Sequence, residues 1–331
     1  MANFLLFSES IKKIDLTSTK NLRTKKIQYL HMIKIITNRA NRIFYNARKE
    51  FIKNNIEINK NTIVYLDSYE NKLCDIQENS DTVMLIDQKH TRYISNKRIC
   101  SDRFRNMKLF QHYPKTYNQI DDIENIEDGE LYFIKGIYGT GGKNVECTTG
   151  KTLKNYELTS NKIIQEGITD IKLIDGKKFV IRVYIVIYNK KIYLSKYSWC
   201  MVHGKPYERS ASYDVQIKHS GYANRNSPIK MIPLHETEFA DSIYDIKDAI
   251  SNVKEIFTPI VEQSSKYEYS IIGPDIIICS DGTIKFIEFN SYPNMVHTNY
   301  INKNVNEKMI LDFYYLVLAD KQNESLLLVN G

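Results

Sequence analysis

Asp275, Glu288 and Asn290 are the residues whose types and spacing best suit a shared chemistry. They flank Asp281-Gly282, a strong hairpin-turn dipeptide with apolar, β-type runs on both sides. With these two residues as the turn, Ser280 pairs with Thr283 and Asp275 falls opposite Glu288, while Gly273 falls opposite Asn290. Opposed side chains have Cβ atoms ~4.5–5.5 Å apart, where like charges repel. Strand alternation puts Glu288 and Asn290 on one face. A hard, oxygen-preferring cation offsets that repulsion, and magnesium commonly binds through one or two carboxylates plus substrate phosphates. The expectation is a magnesium site on one hairpin. The competing expectation is a surface hairpin whose solvated acids pair with lysines. Ile276, Ile277 and Ile278 on one strand and Ile284, Phe286, Ile287 and Phe289 on the other imply two buried faces, which argues for the metal.

Two further segments suit phosphate. Lys135 to Asn144 (KGIYGTGGKN) follows a strand-like run. Its glycines let the backbone approach an anion closely, and successive amides form a nest. The spacing is one residue too long for a Walker A loop, and Asn144 stands where that motif needs Ser or Thr. Neither an HRD nor a DFG motif occurs, which argues against a protein kinase. On the strand Lys178 to Tyr184, Phe179, Ile181 and Val183 share one face. Lys178 and Arg182 share the other, with Val180 between them. Two cations on one face of a central strand need anionic partners, either phosphates and a carboxylate or structural salt bridges.

The elements that must position these groups can be read in outline. Apolar residues at three- and four-residue steps predict an amphipathic helix over 23–53, followed by short strands at 63–66 and 83–86. A helix is expected over 101–113, with Ser101 as N-cap and Pro114 ending it. Strands follow at 131–136 and 163–166, then a long hairpin over 178–202 that turns at Asn189-Lys190. Helices at 242–264, kinked or broken near Pro259, and at 305–320 pack outside a second hairpin at 271–290.

Composition narrows the class. Hydrophobic content of 42% and charged content of 26% are ordinary for a globular protein, and 331 residues can bury a large core. No apolar run reaches spanning length and no secretory leader is evident. Five scattered cysteines, never spaced CxxC, argue against zinc or a disulfide framework and for a reducing, cytoplasmic setting. The net charge of +7 is concentrated near the N-terminus, from Lys25 to Lys53. That cluster is either a docking face for an acidic partner or a solvated helix face. The segment Lys172 to Gly176 has one residue too many for the KxDG lysine of nucleic-acid end joining, so no nucleic acid is expected.

The order of these pieces resembles an ATP-grasp ligase: a strand lysine, a glycine-rich loop, a Gln165-Glu166 strand, a Lys-Phe-x-Ile-Arg strand, then Asp, Glu and Asn on a late hairpin. More narrowly it is similar to the tubulin–tyrosine ligase-like family, whose signature has a KFDIR strand and a late GxD…ExN pair. The likeness spans roughly residues 95 to 320. It implies an α/β (α+β) fold in which two mixed lobes hold ATP between antiparallel sheets. The N-terminal lobe would cover 1–95 and the ATP-grasp domain 96–331, divided into subdomains of about 115–170 and 171–331.

The resemblance also implies roles. Lys135 and Lys178 would contact ATP phosphates, and Gly139, Thr140, Gly141 and Gly142 would cover them. Gln165, Glu166, Gly167 and Ile168 would form the hinge whose backbone reads adenine. Arg182, with Lys178, would serve catalysis by orienting a carboxylate or acyl-phosphate. Asp275, Glu288 and Asn290 would hold Mg2+. Val180 replaces the aspartate of KFDIR, and Lys196 and Met201 lie where a second arginine is expected. His219-Ser220 stands near an expected Thr-Asn pair. The implied reaction joins a carboxylate to an amine through an acyl-phosphate, adding an amino acid to an acidic protein or peptide. A small-molecule acceptor and a non-catalytic nucleotide-binding protein are the alternatives. His203 is a candidate base for the amine, or a structural histidine.

Overall fold

The computed structural model describes residues 33–329, apart from 39–41, 55, 67–80, 140–143, 219–220, 223 and 225. Near the N-terminus three short strands, β1 (Lys34–Thr37), β2 (Thr62–Tyr65) and β3 (Thr82–Leu85), pair in parallel. A second group comprises β4 (Thr116–Tyr117), β5 (Leu131–Gly136), β6 (Val145–Thr149) and β7 (Lys162–Glu166). These form a separate antiparallel sheet in the order β4-β7-β5-β6. The remaining strands are β8 (Leu173–Ile174), β9 (Lys177–Arg182), β10 (Ile185–Tyr188), β11 (Lys191–Ser195), β12 (Trp199–Val202) and β13 (Lys230–Pro233). They are completed by β14 (Glu268–Ile278), β15 (Ile284–Asn290) and β16 (Leu326–Val329).

β14 is the hub. Its first residues pair with β3 on one side and β10 on the other. Its later residues pair with β15 and β9. Pro274 sits just past this exchange of partners, where one amide fewer is tolerable. The main path runs β1-β2-β3-β14-β10-β11-β16, with the β8-β9-β12-β13 strands branching from β14.

Both faces of the large sheet are covered. Tyr184, Val186 and Tyr188 pack toward the helices Arg42–Lys53 and Glu307–Ala319. Ile185 and Ile187 pack toward the helices Ser242–Asn252 and Lys97–Asn106. This two-sided burial explains why β10 reads as an unbroken apolar run.

Several sequence expectations hold and several need correction. Asn189 and Lys190 turn the β10–β11 hairpin, both with positive φ (48° and 63°), as a tight turn demands. The long hairpin is in fact two nested pairings, β10 with β11 and β9 with β12. The helix expected over 23–53 is a helix only from Arg42 to Lys53 among the described residues. Lys34–Thr37 is a strand instead, because two isoleucines and a threonine in four residues favour the pleated, half-buried edge that β2 offers. The helix expected over 101–113 spans Lys97–Asn106. Its N-cap is Asn96, whose side chain accepts from the amides of Arg98 and Ile99. Ser101 lies inside the helix and bonds back to the Arg98 carbonyl. The 242–264 region is broken, and Pro259 starts its last segment, Thr258–Gln263, rather than kinking it.

Candidate active site

The β14–β15 hairpin places Asp275 directly opposite Glu288 and Gly273 opposite Asn290. It does so by a route the sequence did not indicate. Asp281-Gly282 is not the centre of the turn. The Gly282 amide donates to the Cys279 carbonyl at 2.9 Å, and the Cys279 amide donates to the Thr283 carbonyl at 2.9 Å. Gly282 has φ 90°, the left-handed residue that closes this longer loop. Ser280 therefore does not pair with Thr283, and Ile278 pairs with Ile284. A β-bulge between Asp275 and Ile276 then shifts the register again and restores the expected opposition.

The repulsion between the two carboxylates is offset by side chains of this chain. Arg182 grips Asp275 with both ends of a fork: Nε donates to Oδ1 at 2.6 Å and Nη2 to Oδ2 at 2.9 Å. Lys97 Nζ lies 3.2 Å from Glu288 Oε1 and donates to the Gly139 carbonyl at 3.1 Å. Asn290 donates through Nδ2 to the Gly273 carbonyl at 3.1 Å, which leaves its Oδ1 as an acceptor. Two carboxylates and an amide oxygen on neighbouring positions suit a hard cation, since an ionised carboxylate retains lone pairs after accepting from Arg. Among the described residues no cluster of three or more His, Cys, Asp or Glu side chains is placed to hold a metal.

Arg182, Asp275, Glu288 and Asn290 line a cavity of about 460 Å³ between the two sheets, and Lys135, Gln165, Glu166, Ile168 and Lys178 line it as well. Gln165 is buried and joins both sides of this wall. Its Oε1 accepts from Lys135 Nζ, and its Nε2 donates to Thr116 at 3.2 Å. Lys178 Nζ donates to the Gln216 side chain and carbonyl, each at 3.1 Å. Burial pushes both lysines down to about 8. Among the described residues neither has a carboxylate within hydrogen-bond reach, so the pair is suited to receiving an anion. Glu166 accepts from the Tyr117 hydroxyl at 2.6 Å. Gly167 donates to the Leu131 carbonyl at 2.7 Å, and a Cβ there would meet that oxygen at 2.8 Å. The hinge segment is therefore tied to β4 and β5, with apolar walls from Phe133, Val145, Ile168 and Ile287 facing the cavity.

Gly139 is exposed and contributes its carbonyl to Lys97. Thr140, Gly141, Gly142, His219 and Ser220 lie outside the described residues. His203 is buried; its Nδ1 lies 2.9 Å from the Val215 carbonyl and its amide donates to the Lys178 carbonyl. Those contacts brace β9 and the segment around Gln216. Three residues that line the cavity or contact its lining were not apparent in the sequence. Lys97 is 191 positions from Glu288, with no motif linking them. Gln216 lies on a four-residue helix with no distinctive spacing. His297 follows Asn290 by seven residues and lines the cavity beside Trp199.

No family profile matches the chain, and no curated protein is similar to it in sequence. A likeness to solved structures does appear. The C-terminal domain from K. lactis Pby1, described as an ATP-grasp enzyme interacting with the mRNA decapping enzyme Dcp2, superposes with a TM-score of 0.61. The match covers 90% of this chain and 99% of that one at 15% identity. This likeness establishes the fold: a mixed α/β architecture of the ATP-grasp type, as the sequence pieces implied.

Proposed function

We propose that this chain is an ATP- and Mg2+-dependent carboxylate–amine ligase, similar to the tubulin–tyrosine ligase-like enzymes. The observation that carries the reading is the convergence of Lys135, Lys178, Arg182, Asp275, Glu288 and Asn290 on one cavity. Lys135 and Lys178 would receive phosphate oxygens, the Gln165–Ile168 segment would hold adenine, and the loop of Gly139, Thr140, Gly141 and Gly142 would cover the phosphates. Arg182 would orient a carboxylate or the acyl-phosphate formed from it. Asp275, Glu288 and Asn290 would hold Mg2+, which when bound supplies charge neutralisation at the phosphates. An amine would then displace phosphate and leave an amide bond.

No side-chain nucleophile is required, so the chain's contribution is positioning and electrostatics. The two lysines suit that task. They are desolvated, and a phosphate would compensate them. We assign the acceptor as an acidic protein or peptide and the second substrate as an amino acid. The Pby1 domain's described interaction with a protein is consistent with a protein acceptor but does not identify one. The lobes are assigned to 1–95 and 96–331, with subdomains of about 115–170 and 171–331. We place the protein in the cytoplasm. Among the described residues no helix is long and apolar enough to cross a membrane.

ADP release screened across amino acids and acidic peptides, followed by mass spectrometry of the products, tests the reading. The expected result is ADP formed only when both substrates are present, with a product heavier by one residue. One observation favours a second reading: Arg182 already engages both oxygens of Asp275. A nucleotide-binding protein without ligase activity would bind ATP yet release no ADP with any substrate pair.

A further inference from the structure

His297 lines the cavity beside Trp199, and its hydrogen bonding is fixed by a directional chain. The chain begins at Trp199, whose indole N–H can only donate. It donates to the Tyr184 hydroxyl at 3.2 Å. The Tyr184 hydroxyl then donates to Asn306 Oδ1 at 2.9 Å. Asn306 is fully buried, so its amide orientation matters energetically. Its Nδ2 faces the Met295 carbonyl at 2.9 Å and Asn302 Oδ1 at 3.1 Å, both acceptors. Asn302 is oriented independently: it accepts from the His297 amide at 2.8 Å and donates to the His297 carbonyl at 3.1 Å.

Two separate constraints thus make Asn306 Nδ2 a donor. That nitrogen lies 3.1 Å from His297 Nδ1. An amide nitrogen cannot accept, so a proton on Nδ1 would face a donor; Nδ1 is therefore the bare nitrogen and the ring proton resides on Nε2, with the two amide hydrogens shared among three acceptors. Burial, reinforced by the Arg182 charge, pushes the imidazole down to about 3, in keeping with a neutral ring. Among the described residues Nε2 has no hydrogen-bond partner. Asn306 ends the π-helical turn Asn302–Asn306 and is hydrogen-bonded at both its amide oxygen and nitrogen, which holds its orientation.

Arg182 flanks the same indole. Its guanidinium carbon is 5.7 Å from the Trp199 ring centroid, and the His297 ring is 4.6 Å from it. With one bond from Nε and one from Nη2 given to Asp275, Arg182 keeps both N–H groups of Nη1 and the second of Nη2. This part of the cavity therefore offers two donor side chains over a flat aromatic wall.

We propose that His297 Nε2–H and Arg182 together form a carboxylate subsite, with Trp199, Tyr184 and Asn306 as positioning residues that lock the donating tautomer. The proposal rests on the ligase reading only in calling that carboxylate a substrate's. A neutral N–H beside one guanidinium would supply directional recognition without a second buried cation.

The test uses the full chain with 15N-labelled histidine, with sodium acetate as the carboxylate probe and acetamide as its neutral counterpart. The expected spectrum at pH 7 assigns a protonated Nε2 and a bare Nδ1 to His297. The Nε2–H signal shifts saturably with acetate and not with acetamide or sodium chloride at equal ionic strength. His297→Phe weakens acetate binding about tenfold or more. Tyr184→Phe leaves a folded protein with mixed His297 tautomers and weaker acetate binding. A protonated Nδ1, a doubly protonated ring, or equal shifts with acetamide or chloride overturns the proposal. So does an absent acetate response. A separate Mg-ATP titration of the same sample distinguishes the two readings: loss of ATP binding strikes the ligase assignment, while an unresponsive His297 in an ATP-binding protein strikes only this subsite.

Discussion

Asp275 and Glu288 lie directly opposite each other on β14 and β15, yet each carboxylate is held by a different cation. Arg182 takes Asp275 at 2.6 and 2.9 Å, and Lys97 takes Glu288 at 3.2 Å. The two acids are thus neutralised by separate cations, and each carboxylate keeps lone pairs for a shared ligand. The four groups already sum to zero charge, so a divalent ion would enter with nucleotide phosphates that carry its compensating charge.

The metal assignment predicts a graded response. Glu288→Gln with Asp275→Asn keeps side-chain volume and leaves an acceptor for Arg182 and for Lys97. Mg2+-dependent ADP release should fall on the order of 100-fold or more, the scale seen when a preorganised charge partner is removed. Circular dichroism checks that the fold persists, and normal ADP release in the double variant would sink the assignment.

The Lys97–Glu288 pair predicts non-additivity. Lys97 is almost fully buried, with 6% side-chain exposure against 23% for Glu288. Lys97→Met leaves a partly exposed acid, whereas Glu288→Gln leaves a buried ammonium, and the second should cost more. Removing both should destabilise by less than the sum of the singles, with a coupling of about 1–3 kcal/mol. Urea unfolding of the four proteins measures it, and strict additivity would mean that the pair is not formed in solution.

Burial of Lys178 makes two properties move oppositely with pH. Its folded value is about 8, while in the unfolded chain it titrates near ~10.4. Below about 8 both states carry the proton and the buried charge destabilises the fold in full. Between about 8 and ~10.4 the unfolded state binds the extra proton, so stability rises with pH across that window. ATP affinity should fall over the same range, because a phosphate requires the charged lysine. Lys178→Met should make both profiles shallower without abolishing them, because Lys135 is also pushed down to about 8 and remains, when denaturant midpoints and ATP titrations are compared from pH 7 to pH 10.

What the sequence revealed depended on how local the signal was. The Asn189-Lys190 turn and β5 were legible because turn chemistry and strand periodicity act over a few residues. The Asp275–Glu288 opposition was legible for a less secure reason. The turn around Asp281 is longer than a two-residue loop, and the bulge beside Ile276 compensates by one residue. Each shift alone would have put Glu288 on the wrong face. Lys97 was invisible because its partner is joined to it only by tertiary packing, and β1 was misread because Ile33 and Ile36 fit helical steps as well as strand alternation. The His297 network needed coordinates, since a hydrogen-bond chain through Trp199, Tyr184 and Asn306 has no spacing to recognise.

Gly273 offers the sharpest separation of positioning from binding. It pairs with Asn290, two positions from the Asp275–Glu288 opposition. A Cβ at this position would lie 2.7 Å from Pro293 Cβ and 3.2 Å from Arg182 Cδ. The proline ring cannot rotate away, so the strain must be relieved by moving Arg182 or the strand. Gly273→Ala should therefore destabilise by about 1–3 kcal/mol, the usual cost of overpacking. It should also loosen the Arg182–Asp275 fork while leaving Lys135 and Lys178, on other strands, in place. ADP release should fall more steeply than ATP affinity. Gly129→Ala is the control: nothing lies within 4 Å of its added Cβ, and stability should change by less than about 0.5 kcal/mol. Equal losses of ATP binding and ADP release in Gly273→Ala would mean that the glycine serves the whole cavity rather than Arg182.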